Sequence, residues 1–152
     1  MKVVLQKVKY AKCTVNNENV GSIGNGYLLL VGICDTDNQS IINKIAKKIV
    51  DLRIYEDKDG KMNLGIKEVG GDLLSISQFT LYANCKKGRR PSFVKASKPS
   101  ISEPLYSLFN QALIDLEMKV ETGIFGADMQ IELLNDGPCT IVLDSDEICW
   151  IN

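Results

Sequence analysis

Gly71-Asp72-Leu73-Leu74-Ser75-Ile76-Ser77-Gln78-Phe79-Thr80 decides how this chain is read. A short apolar run bounded by glycines reads as a buried strand, here extended from Leu73 to Tyr82. It ends in three polar side chains, Ser77, Gln78 and Thr80. In a core every hydroxyl and amide needs a partner, so such groups at the mouth of a strand are better placed to hold a ligand. A second unusual segment, Asn135-Asp136-Gly137-Pro138-Cys139-Thr140, follows another apolar run late in the chain. Together the two segments point to a site.

Outward from that strand, Met1 to Val15 is rich in Val, Leu, Tyr and Thr and reads as a strand broken near Ala11. Asn16-Asn17-Glu18-Asn19 is a turn, and Val20–Ile23 a short return strand. Tyr27–Cys34 is a buried strand. Asp37 or Asn38 caps a helix that carries Ile41, Ile45, Ile49 and Leu52 at helical spacing. Ser100-x-x-Glu103 has the form of a capping box. It opens a second helix with a core stripe of Leu105, Leu108, Phe109, Ala112, Leu113 and Leu116. Met118–Glu121, Met129–Leu134 and Cys139–Leu143 read as the last strands. About eight strands and two helices, not in strict alternation, predict one α+β domain over 1–152 with a curled, barrel-like sheet of mixed or antiparallel strands.

Composition narrows the chemistry. The 152 residues are 45% hydrophobic and 24% charged, as in a globular domain. The longest apolar run, Tyr27–Cys34, is far too short to span a membrane. Met1–Lys7 has neither a long apolar core nor a small-residue cleavage site, so the cytoplasm is the expected compartment. Five cysteines, at 13, 34, 85, 139 and 149, are odd in number and widely spaced, which favours reduced thiols over a disulfide framework or a zinc knuckle. There is no histidine. That removes Ser-His and Cys-His pairs, imidazole base chemistry and His-ligated metals. Hydroxyls, amides, carboxylates, lysine, the backbone or the substrate itself must carry any reaction, with no metal or cofactor expected.

Other candidate segments have plainer readings. Asp57-Lys58-Asp59-Gly60 has the opening of a calcium loop, but Lys61 and Met62 stand where an oxygen ligand and a glycine are needed, so it reads as a turn. Cys85 and Cys139 lack an imidazole to activate them and read as incidental thiols. Asn135–Pro138 has two readings, a hairpin turn and a ligand-approaching backbone made by glycine next to proline. Between Asp72 and Glu103 there is no acid, yet Lys86, Lys87, Arg89, Arg90, Lys95 and Lys98 lie there. In a chain of net charge −1 such a run reads as a phosphate-binding loop or as a solvated one.

Ser77-Gln78-Phe79-Thr80-Leu81, then Arg90-Pro91-Ser92-Phe93, then Asn135-Asp136-Gly137-Pro138-x-Thr140 resembles the D-aminoacyl-tRNA deacylases, also called D-tyrosyl-tRNA deacylases. Gly60-Lys61-Met62-Asn63-Leu64 and Thr122-Gly123-x-Phe125-Gly126-Ala127-Asp128-Met129 add to the match, which runs in order from Met1 to about Leu143. The resemblance implies a homodimeric, metal-free hydrolase that cleaves the ester between a D-amino acid, or mischarged glycine, and the tRNA 3′ adenosine. It implies an aminoacyl pocket formed by Ser77, Gln78, Phe79 and Thr80, with Phe79 and Thr80 at the catalytic position. It further implies a cis Gly137–Pro138 pair that enters the partner's pocket. Lys86, Lys87, Arg89 and Arg90 are the expected tRNA phosphate contacts. The chain departs from the family at Lys7, where arginine is usual and whose planar fork lysine cannot reproduce. The tail 144–152 is longer than the family core needs. Ser77-Gln78 resembles the D-specific branch, whose L-directed relative carries proline before that glutamine. A deacylase of mischarged L-aminoacyl-tRNA and a non-catalytic RNA-binding module are the competing readings.

Overall fold

The computed structural model describes residues 1–148; Cys149–Asn152, the end of the tail singled out above, lie outside the described residues. The strands are β1 (Lys2–Val15), β2 (Glu18–Ile23), β3 (Gly26–Gly32), β4 (Tyr55–Glu56), β5 (Met62–Leu64), β6 (Asp72–Ser77), β7 (Val120–Thr122) and β8 (Gln130–Asp144). Among the described residues three α-helices, not two, accompany them: α1 (Gln39–Asp51), α2 (Pro99–Asp115) and the short α3 (Ser145–Ile148). The architecture is mixed α+β around a nearly closed, curled sheet.

The long strand β1 organises that sheet. It pairs antiparallel with β3 over Lys2–Val8, with β2 over Ala11–Val15, and with β8 over Lys2–Thr14. β3, β6 and β7 then run parallel to one another. The curl brings β2 back to β7: a Cβ on Gly21 would stand 2.5 Å from the Thr122 carbonyl oxygen, so only glycine permits this approach. Parallel strands are buried on both faces. Accordingly β3 sends Tyr27, Leu29 and Val31 into the core shared with α1 and α2, while Leu28 joins Ile23, Leu74 and Ile76 on the other side.

Several expectations from sequence are corrected. β1 is continuous; the irregularity near Ala11 is a shift of its register against β8 between Val8 and Ala11. Asn38, not Asp37, caps α1, accepting the Ile41 amide at 3.1 Å. Asp37 is instead buried, accepting the Cys34 amide at 2.8 Å and pairing with the Met1 amino group, which also donates to Ser145 Oγ at 2.6 Å. The first residues of the tail thus tie the two ends of the chain together. The buried face of α1 is Ile42, Ile45, Ala46, Ile49 and Val50, with Ile41 and Leu52 only packed against it.

The capping box at Ser100 is absent. α2 begins two residues earlier, with Lys98 as its cap and Pro99 in the first turn, where the missing amide costs nothing. Its buried stripe runs through Ser102, Tyr106, Phe109 and Leu113, which rotates Leu108 into solvent. Asp57–Gly60 is a turn in which Asp57 Oδ1 accepts the Asp59 and Lys61 amides at 2.9 and 3.1 Å. These bonds, the Lys61 amide first, hold its carboxyl below the usual range.

The largest correction concerns the end of the chain. Met129–Leu134 and Cys139–Leu143 are one strand, β8, and Asn135–Pro138 is not a hairpin turn. Val8 pairs with Asn135 and Gln6 with Thr140, so residues 136–139 stand as a bulge opposite Lys7 alone. Strand pairing with β1 resumes beyond it, which a hairpin would forbid.

Candidate functional site

β6 ends at Ser77, and the strand does not continue to Tyr82 as its sequence predicts. Residues Phe79–Tyr82 form a single 3₁₀ turn instead, started by Gln78 in a non-helical conformation. The Gln78 amide still bonds the Val31 carbonyl at 2.7 Å, so the strand end stays fixed on β3 up to the turn. The first amides of such a turn have no carbonyl within it to receive them. No side chain caps this one. The amides of Phe79 and Thr80 therefore stand at the carboxyl end of a parallel strand, the position where open sheets bind ligands.

Beside this strand end lies a cleft of about 590 Å³. Val31, Ile33 and Ile76 form its apolar floor, while Ser77, Gln78 and Phe79 stand along it. Phe93 from the basic loop meets Phe79 edge to face, with ring centroids 5.1 Å apart. Opposite, Tyr106 packs against Phe125 at 5.9 Å and donates its hydroxyl to the Ser75 carbonyl at 2.7 Å. Burial raises the Tyr106 phenol above its ordinary value, so it is a neutral donor in this wall. Ser97 Oγ donates to Asp35 Oδ1 at 2.5 Å, and the Ser97 amide to the Ile33 carbonyl at 3.0 Å. A mostly apolar cleft of this size with a few convergent polar groups has the character of a small-ligand site.

The predicted residues fall in three places. Ser77, Gln78 and Phe79 line the cleft, and Phe79 leaves 57% of its surface exposed. Thr80 stands outside the lining, exposed at the rim, with its hydroxyl accepting a hydrogen bond from Gln78 Nε2 at 2.5 Å. Lys86, Lys87, Arg89 and Arg90 are exposed on the loop and make no ion pair among the described residues. Gly137 and Pro138 are exposed on the bulge of β8 and take no part in the cleft of their own chain.

The peptide bond between Gly137 and Pro138 is cis, and Gly137 has a φ of +145°, a region costly for any residue with a side chain. Asn135 holds the bulge in shape. Its Oδ1 accepts the Cys139 amide at 2.7 Å, and its Nδ2 donates to Thr140 Oγ1 at 2.9 Å. Lys7, across from the bulge, places its ammonium 5.0 Å from the centre of the Tyr55 ring. Sequence reasoning missed Tyr106, Ser97 and Phe125 as walls of the cleft and Asn135 as the clasp of the bulge. Only an asparagine four residues before Cys139, able to bond its backbone, signalled the last.

The model of the D-Tyr-tRNA(Tyr) deacylase family matches residues 4–144. The chain belongs to this family. It is 53% identical over 147 residues to a D-aminoacyl-tRNA deacylase of Geobacillus sp. (strain WCH70), covering 97% of both chains. It is 55% identical over 144 residues to one from Lactobacillus helveticus (strain DPC 4571), covering 95% of this chain and 99% of that one. A solved structure of a c-Myc DNA unwinding element binding protein superposes with a TM-score of 0.88 at 36% identity, covering 95% of this chain and 98% of that one. A probable eukaryotic D-amino acid tRNA deacylase shares the fold, with a TM-score of 0.81 at 17% identity, covering 93% of this chain and 97% of that one.

Proposed function

We propose that this chain hydrolyses the ester linking D-amino acids, and glycine misattached to tRNA, to the 3′ adenosine, and so acts as a chiral proofreading deacylase in the cytoplasm. The observation that carries the reading is the end of β6, where Ser77, Gln78 and the uncapped amides of a 3₁₀ turn meet an apolar cleft. An aminoacyl ester is already activated and has a ribose 2′-hydroxyl beside it. Its hydrolysis needs positioning and oxyanion stabilisation more than a strong base. A protein with no histidine is suited to that chemistry.

In this mechanism the amides of Phe79 and Thr80 donate to the oxygen that gains charge as water adds to the ester carbonyl. Gln78 fixes the Thr80 hydroxyl, which orients the ester and does not attack it, since no imidazole is present to take its proton. The cations at Lys86, Lys87, Arg89 and Arg90 bind tRNA phosphates, which supply affinity without sequence information.

The functional unit in this reading is a homodimer in which the Gly137-Pro138 bulge of each protomer enters the partner's cleft. Two features support it. The bulge is exposed and lies outside its own cleft. On either side of it, β8 leaves Leu134 48% and Val142 66% exposed, apolar surface on a strand that, among the described residues, pairs only with β1. Rejecting a substrate by apolar contacts is worth only ~1–3 kcal/mol per methylene. Backbone carbonyls fixed where an L side chain has to lie discriminate by steric exclusion whatever that side chain is. Glycine, lacking a side chain, passes.

The test is turnover of D-aminoacyl-, L-aminoacyl- and misacylated glycyl-tRNA side by side, with the oligomeric state measured by sedimentation. D and glycyl esters are expected to turn over and L esters to persist, by a dimer. Comparable cleavage of L esters overturns the chirality assignment, and tRNA binding without turnover replaces the enzyme with a binding module.

A further inference from the structure

The six cations of the acid-free loop are not equivalent. An antiparallel bridge between Asn84 and Ser92, with N–H···O bonds of 2.8 and 2.9 Å, closes the base of the loop. Asn84 Oδ1 also accepts the Lys86 amide at 3.0 Å, and beyond the bridge the Ala96 amide bonds the Phe93 carbonyl at 3.0 Å. This closure sets Lys86, before the tip, and Lys95, after it, around one hollow of about 210 Å³. Lys2, from the start of β1, joins them, and Tyr82, Asn84 and Cys85 complete the walls. Lys87, Arg89, Arg90 and Lys98 stand outside it.

Three lysines lining one hollow repel each other unless an anion shares them. Lys2 is held in place by the Asp144 carboxylate at 3.6 Å and by the Tyr82 ring, whose centre is 5.3 Å away. Lys86 and Lys95 have no acidic partner among the described residues. Three cations less one carboxylate leave two positive charges uncompensated. The hollow is smaller than the ~300 Å³ at which pockets begin to take drug-sized ligands. It suits a compact oxyanion bound by point charges, which is how lysine recognises phosphate.

Its position is the second clue. Tyr82, in its wall, closes the same 3₁₀ turn that Phe79 and Thr80 open at the cleft. A four-residue turn therefore separates a small-ligand cleft from a cationic hollow.

We propose that the Lys2-Lys86-Lys95 hollow is a discrete phosphate site, taking the phosphodiester on the 5′ side of the terminal nucleoside whose aminoacyl ester lies in the cleft. The assignment rests on the deacylase reading for the identity of its ligand. It differs from the general attraction of the loop by naming one phosphate, by including Lys2 from outside the charge run, and by taking Lys95 rather than Lys87, Arg89 or Arg90 as a contact.

The experiment compares the wild-type protein with Lys95→Gln, an exposed loop position, and with the Lys2→Gln, Lys95→Gln pair. Each single-stranded phosphate neutralised contributes about 0.7 to the slope of log K against log salt. Because one phosphate is at stake, the slope for tRNA is expected to fall in the single variant and to fall further, by roughly 0.7 in all, in the pair. Cys85, in the wall of the hollow, supplies a readout independent of turnover. Its alkylation by iodoacetamide is expected to slow when intact uncharged tRNA is added, and not when tRNA trimmed of its single-stranded 3′ end is added. The ratio of kcat/KM for D-aminoacyl-tRNA to that for 3′-O-D-aminoacyl-adenosine, which has no phosphate, is expected to fall in both variants. An unchanged salt slope, or equal Cys85 alkylation with and without intact tRNA, overturns the site. Failure of the wild-type protein to hydrolyse either ester refutes the deacylase reading instead, and the salt slope and Cys85 protection still report on the hollow.

Discussion

Replacing Asn135 by alanine removes the clasp of the β8 bulge. The side chain makes two well-formed bonds, from the Cys139 amide at 2.7 Å and to Thr140 Oγ1 at 2.9 Å, and a longer one to the Cys139 carbonyl at 3.4 Å. A typical hydrogen bond contributes about 1 kcal/mol net, so the two good ones sum to about 2 kcal/mol, with the long one adding little. For a chain of this size that is a fall of roughly 4–8 °C in Tm. Half of the loss is assigned to Thr140, so Thr140→Val is expected to cost about 1 kcal/mol, and the double variant less than the sum of the two. Urea unfolding of the three variants measures this directly. Activity is expected to fall further than stability, because the clasp also sets where the Gly137-Pro138 backbone points. A stability for Asn135→Ala within 0.5 kcal/mol of wild type, with unchanged kcat/KM and L/D selectivity, refutes the argument that Asn135 shapes the bulge.

Three further outcomes follow from the geometry. Tyr106→Phe deletes the donor to the Ser75 carbonyl in the cleft wall and is expected to cost about 1–3 kcal/mol in chemical denaturation, since it strands a buried acceptor. Gly21→Val is expected to prevent stable folding, read as loss of a cooperative thermal transition, because its Cβ alone meets the Thr122 oxygen at 2.5 Å. Burial raises the phenols of Tyr27, Tyr55, Tyr82 and Tyr106, that of Tyr55 to about 12. The unfolded chain ionises near pH 10 and the folded one higher, so the folded state binds more protons there and stability is lost as pH rises from about 10 through 12. Ultraviolet tyrosinate titration alongside unfolding checks this, and ionisation of all tyrosines near pH 10 without unfolding contradicts it.

The residues that announced themselves in sequence did so through local rules. β3 was legible because a run buried on both faces needs no periodicity, and α1 because isoleucines recur at helical spacing. The site was legible at Ser77, Gln78 and Phe79 because polar groups ending an apolar strand conflict with burial. The charge run was legible because it lacks acids. In each case a few neighbouring residues contain the whole argument.

The rest required partners distant in the chain. The sequence carries Asn135-Asp136-Gly137-Pro138 as well as any hairpin does, and only pairing of both flanks with β1, at Val8 and Gln6, makes it a bulge. The strand signal of Leu73–Tyr82 stops at Ser77 because β3, its partner, ends there and the freed chain turns. Leu108 belongs to an apolar stripe by spacing, but the stripe α2 buries is set by which face meets the sheet, and that face carries Ser102 and Tyr106. Lys2 and Lys95 stand 93 positions apart in sequence and share a hollow only after β1 and the bridged loop are in place. Local periodicity and composition determine what an element is; burial against distant elements determines where it ends, which face it hides and which side chains meet.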